Sequence, residues 1–139
     1  MQKTYILCSQ FLLATAFSFT LLGKDVPMGL IDCDSAVYPA VLKIAAGDVY
    51  LYGDTDKNIE KNIHAAKACY TAATHETTSQ IDQGVANFKL GKIFYYNETN
   101  LSEGSVEKAK EYLKKAMRLG NIDAEIMLNY ILFGPAVKK

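Results

Sequence analysis

The chain has no tryptophan, and its 139 residues include only two histidines, three prolines and three cysteines. The scarcity of histidine and cysteine narrows metal chemistry. His64 and His75 lack the i, i+4 spacing that sets two imidazoles on one helix face. Asp54-Thr55-Asp56 with Asn58 resembles part of a calcium loop, but the spaced glycine and distal glutamate are absent, which leaves a solvated turn. No Gly-rich phosphate loop and no nucleophile elbow occurs. Net charge is missing too, because 15 basic residues balance 15 acidic ones. That balance argues against nucleic acid, which is bound by neutralising phosphates. Neither catalytic residues nor cofactor or metal ligands are therefore assigned.

What is present suits one small folded domain, half hydrophobic and 22% charged. Charge is uneven along it. Residues 24–56 carry Asp25, Asp32, Asp34, Asp48, Asp54 and Asp56 against Lys24 and Lys43, whereas residues 106–118 carry Lys108, Lys110, Lys114, Lys115 and Arg118 against Glu107 and Glu111. Such a distribution is either ordinary solvated surface or a dipole that orients a charged partner.

The N-terminus reads as an export signal. No charge lies between Lys3 and Lys24. Lys3 supplies a positive start, Tyr5 to Ala14 a largely apolar stretch, and Ala14-Thr15-Ala16 small residues of the kind a signal peptidase reads. Residues 1–23 are thus expected to be removed, with cleavage near 16–23. An uncleaved anchor is the competing reading, but Ser9, Gln10, Thr15, Ser18 and Thr20 make the span polar. Export places the mature chain in the periplasm or outside the cell. It also leaves Cys33 and Cys69 as an even pair in an oxidising compartment, which suggests a disulfide; two thiols, with Cys69 filling a small core site, is the other reading.

The rest of the chain compares well with itself. Leu42, Ala46, Val49 and Tyr50 are followed by Ala86, Leu90, Ile93 and Phe94, and then by Ala124, Leu128, Ile131 and Leu132. Each set has the spacing of one apolar helix stripe. Ile63, Ala66, Cys69, Tyr70 and Ala73 are matched in the same way by Val106, Ala109, Tyr112, Leu113 and Ala116. The pattern predicts helices over 36–52, 58–75, 79–96, 104–119 and 122–133. Ser79 is the expected cap of the third, Ser102 or Ser105 that of the fourth, and Gly120 the stop before the fifth.

These units resemble the Sel-one-like repeat family, relatives of the tetratricopeptide repeat. Ala46-Gly47-Asp48-Val49-Tyr50-Leu51-Tyr52-Gly53 and Leu90-Gly91-Lys92-Ile93-Phe94-Tyr95-Tyr96-Asn97 resemble its L-G-x-x-Y-x-x-G signature. Glu107-Lys108-Ala109, Tyr112-Leu113, Lys115-Ala116-Met117 and Gly120-Asn121 follow its second-helix pattern in order. The departures are Ala46 for the usual Leu, and Asn97 and Asn129 for Gly. The resemblance implies an all-α fold, a short α-α solenoid of about two and a half helix-turn-helix repeats. Its expected parts are a capping segment over 24–39, repeats over 40–84, 85–121 and a partial 122–134, and a tail over 135–139.

In that family the first helix of each unit lines a concave surface. The positions beside the buried stripes are Ala45, Asp48 and Tyr52, then Lys89, Lys92 and Tyr96, then Met127 and Tyr130; of these Asp48, Tyr52, Lys89, Lys92, Tyr96 and Tyr130 are the candidate partner-binding residues. Tyrosine beside charge is common at interface hot spots. The resemblance implies a protein–protein interaction module of the adaptor, accessory or immunity type, binding another protein or a second copy. Some cysteine-rich relatives are described as β-lactam-binding or β-lactam-hydrolysing. Here the second unit has no cysteine and no S-x-x-K motif is present, so an enzyme is the secondary expectation.

Overall fold

Five helices follow one another in the computed structural model, which describes residues 31–75, 79–96 and 103–134. The segment read as a signal, residues 24–30, Ser102 and the tail lie outside the described residues. The helices are α1 (Ala40–Tyr52), α2 (Ile63–Thr74), α3 (Gln80–Tyr96), α4 (Glu103–Arg118) and α5 (Ile122–Phe133). The described residues form no strand, only one isolated bridge between Asp54 and Ile59. The fold is all-α, as the periodicity implies.

Two helices start later than predicted, for local reasons. Expected from 36, α1 begins at Ala40 because Pro39 stands at its N-cap. A proline ring fits a first turn but not a fourth helical position, where its missing N–H would leave a carbonyl unbonded. Expected from 58, α2 begins at Ile63, because residues 54–59 close a tight turn. Asp54 and Ile59 exchange backbone hydrogen bonds of 2.9 and 2.8 Å, and Asn58 takes a left-handed φ of 55°. Asn62 then caps α2, its side chain accepting from the N–H of Ala65 at 3.0 Å.

The remaining boundaries follow the expected chemistry. Ser79 caps α3 by accepting from the N–H of Asp82 at 3.1 Å, so the helix runs across the boundary set between 84 and 85. Ser105 is not the cap of α4; it is buried inside a helix that starts at Glu103. At the other end Gly120 adopts a φ of 84°. Its N–H bonds the carbonyl of Met117, and the N–H of Asn121 reaches back to that of Ala116, each at 3.0 Å. This left-handed reversal satisfies the last carbonyls of α4 and turns the chain directly into α5.

Each helix packs on the next, and α1 also touches α3. One core joins α1, α2 and α3 through Ile44, Leu51, Tyr70, Leu90 and Ile93 among small alanines. A second joins α4 to α5 through Leu113, Ala116, Ala124, Met127 and Leu128. Two glycines set the closest approaches. A Cβ on Gly47 would lie 2.5 Å from the ring of Tyr70, and one on Gly91 would lie 2.8 Å from Leu113. Gly47 and Gly91 occupy the same position of the two sequence units, as do Tyr70 and Leu113. The α1–α2 and α3–α4 pairs are thus built around the same glycine contact.

Residues 31–39 lie across the first pair. Cys33 and Cys69 are joined by a disulfide, with Cα atoms 4.9 Å apart. Ile31 and both cysteines are buried against Ala46, with Tyr38 and Leu42 beside them.

Candidate functional site

The six candidate residues divide into three groups. Asp48 and Lys89 are turned toward each other. The Lys89 ammonium donates to both carboxylate oxygens of Asp48, at 2.8 and 3.1 Å. The Tyr70 hydroxyl donates to the same carboxylate at 2.5 Å. One residue from each of α1, α2 and α3 therefore meets at a single polar junction. Burial, and then the hydrogen bond it gives to the Asp48 carboxylate, hold the Tyr70 phenol far above the usual tyrosine range. A phenol that resists ionisation, tied to an ion pair, is a structural tie and a poor proton donor or acceptor.

Tyr52 stands apart. It is exposed beside the 54–59 turn, where it borders a shallow depression with Asp54, Asn58 and Lys61. The Asp54 side chain, by contrast, is engaged within its own turn. It accepts from the Lys57 N–H at 3.2 Å and pairs with the Lys57 ammonium at 3.3 Å. Partial desolvation pushes the Asp54 carboxyl up, but these Lys57 contacts outweigh it and hold the carboxyl below its ordinary value. Among the described residues no group of three or more His, Cys, Asp or Glu side chains could hold a metal ion.

Lys92, Tyr96 and Tyr130 do come together. With Phe88, Asp123, Ile126 and Met127 they line a groove of about 340 Å³ between α3 and α5. Its position follows from helix geometry. Phe88, Lys92 and Tyr96 lie four residues apart on α3, and Ile126 and Tyr130 four apart on α5, so each set forms one ridge. The Lys92 ammonium sits 5.6 Å from the centre of the Phe88 ring. Tyr96 is 61% exposed and Tyr130 47%, which leaves both aromatic rims open to solvent. The groove offers apolar walls, two phenols and one charge of each sign.

A second aromatic cluster was not singled out from the sequence. Phe94 of α3 stacks on Tyr112 of α4, centroids 5.4 Å apart. Lys67 and Lys108 approach the Phe94 ring at 4.7 and 5.5 Å, and Lys115 approaches Tyr112 at 5.2 Å. Both aromatics are visible as stripe residues, but their stacking depends on how α3 and α4 cross. Next to this cluster, Lys110 donates to Glu107 at 2.6 Å, and that hydrogen bond holds the Glu107 carboxyl below its usual value.

Among the described residues no helix is long and apolar enough to cross a membrane. Compared with known families, curated proteins and solved structures, the chain matches none of them.

Proposed function

We propose that the chain is an exported Sel-one-like repeat protein of the adaptor, accessory or immunity type, and that it holds another protein in the groove between α3 and α5. The repeat reading is supported by the equivalent glycine contacts, Gly47 on Tyr70 and Gly91 on Leu113. It is supported too by packing that runs from each helix to the next, as in a solenoid. Export is supported by the charge-free stretch after Lys3 and by the Cys33–Cys69 bond, which fits an oxidising compartment.

The groove itself carries the binding reading. It is concave and lined mainly by apolar side chains, and Tyr96 and Tyr130 stand open at its edge. Tyrosine contributes a large rigid surface and a hydroxyl at low entropic cost, which suits a protein-binding hot spot. Lys92 and Asp123 on opposite walls would orient the bound segment.

Photo-crosslinking in the host cell tests this. Benzoylphenylalanine replacing Tyr130 is expected to give a discrete protein adduct, whereas the same replacement of Asp56, in the distant 54–59 turn, gives none. Tyr96→Ala should weaken the Tyr130 adduct. Equal labelling from both positions, or none from Tyr130, would overturn the proposal.

A further inference from the structure

The geometry points to a second copy of this chain docked on the outer face of α5, pairing α5 with α5 antiparallel about a twofold axis. The repeat register identifies that face. In α1, Ala40, Ile44 and Leu51 are buried in the core shared with α2, and Gly47 lies against Tyr70. The same four positions of the third unit hold Ile122, Ile126, Asn129 and Phe133. There Ile122 is 73% exposed, Ile126 64% and Phe133 81%, and Asn129 is exposed as well. The face that receives the next helix in the first unit therefore stands uncovered in the third, among the described residues. Its opposite face is already buried through Ala124, Met127 and Leu128. A helix apolar on both sides is a helix built to be covered on both.

Three observations favour a second copy as the cover. The first is spacing. Ile122, Ile126, Asn129 and Phe133 are separated by four, three and four residues, a pattern that reads the same from either end. An antiparallel pair in this register sets Ile122 against Phe133 and Ile126 against Asn129, twice each, as an isologous interface requires. Asn129 then serves as the single polar position that fixes register. The second is charge. The only charged residues of α5 are Asp123 and Glu125 in its first turn, and Lys138 and Lys139 follow it in sequence. Antiparallel pairing keeps the acids of the two copies at opposite ends of the seam and opposes the helix dipoles, whereas parallel pairing brings both sets of acids together. The third is extent. With flanking Tyr130 and Leu132, both nearly half exposed, Ile122, Ile126 and Phe133 make one apolar strip along the whole length of α5, which a second α5 matches end to end.

This pairing centres on a different side of α5 from the groove, which opens toward α3; Ile126 and the flanking Tyr130 border both, whereas Asn129 does not line the groove. Asn129→Glu therefore tests the pairing without changing a groove residue.

Light scattering on the full chain, expressed with export allowed and purified from that host, tests the pairing. The expected mass is twice that of the chain. Ile126→Lys and Asn129→Glu change exposed residues, so each variant should keep its helical circular dichroism and fall to the single-chain mass. Mixed in equal amounts, the two variants should regain the doubled mass, because the introduced charges then face each other across the seam. Wild-type protein that stays at single-chain mass throughout a concentration series would overturn the inference. So would an Ile126→Lys chain that keeps the doubled mass, or a mixture of variants that does not recover it.

Discussion

Tyr70 is the side chain on which the first helix pair turns. Its ring closes on Gly47 while its hydroxyl is held by Asp48, so it can neither retreat nor rotate without losing a contact. Alanine at Gly47 would raise helix propensity by about 1 kcal/mol. Its methyl would also press into a fully buried ring, and overpacking of that kind costs about 1–3 kcal/mol. Gly47→Ala is therefore expected to lower stability by up to about 2 kcal/mol, read as a lower urea midpoint at unchanged slope. Gly91→Ala should cost somewhat less, because Leu113 has rotamer freedom that a tied ring lacks. The phenol makes a second prediction. Its folded-state pKa is raised, so its contribution to stability is complete below the unfolded value of about 10 and is lost as pH rises through the folded one. In an alkaline absorbance titration one phenol should ionise only as the protein unfolds, and Tyr70→Phe should abolish that late step. A late step that survives in Tyr70→Phe would mean that another tyrosine is responsible.

At the level of elements, the joint between α4 and α5 rests largely on one residue. The backbone of Asn121 closes the end of α4, and its side chain opens α5 by accepting from the N–H of Ala124 at 2.9 Å. Asn121→Ala keeps the first bond and removes the second, so thermal unfolding should show a loss of about 1 kcal/mol. Such signals explain how much was legible beforehand. Gly120, Asn121 and Ser79 act within three or four residues of themselves, and the helices they bound came out close to expectation. Pro39 is as local a signal, but the apolar pattern continues on both sides of it and hides the helix start at Ala40. Residues 54–58 read as a solvated turn, but their closure through Ile59, which moves the start of α2 to Ile63, is not legible because the closing bonds are made by backbone, which any sequence can supply. The candidate site divides along the same line. The four-residue spacing of Lys92 and Tyr96 made one ridge of the groove visible, whereas the pairing of Asp48 with Lys89 joins residues 41 apart and depends on how α1 crosses α3. Met127 stands beside the buried stripe in the sequence and does line the groove, whereas Phe88 is not visible as a groove residue because it also packs against the core.

At the scale of the whole molecule the described residues form a row of helices in which mainly neighbours touch, and the cross-link among them, Cys33–Cys69, lies at one end of the row. The Cys33–Cys69 bond closes a loop with a sequence separation of 36. On the chain-entropy account, a loop of that size stabilises the fold by about 3–4 kcal/mol. That is a large share of the roughly 5–15 kcal/mol a domain of this kind possesses. Replacing Cys33 and Cys69 together by serine should therefore lower stability by about that amount, and a reductant should destabilise the wild type but not the double variant. The distribution of the loss says more than its size. Residues 31–39 rest on α1 and α2, and α5 reaches them only through α3 and α4. In a row of this kind an interface loss is felt most by the adjoining unit and weakens with each further one. Hydrogen exchange of the double variant is thus expected to accelerate most in α1 and α2, less in α3, and least in α4 and α5. Uniform acceleration in all five helices would instead show a single cooperative unit, and would remove one of the supports for reading the chain as a solenoid.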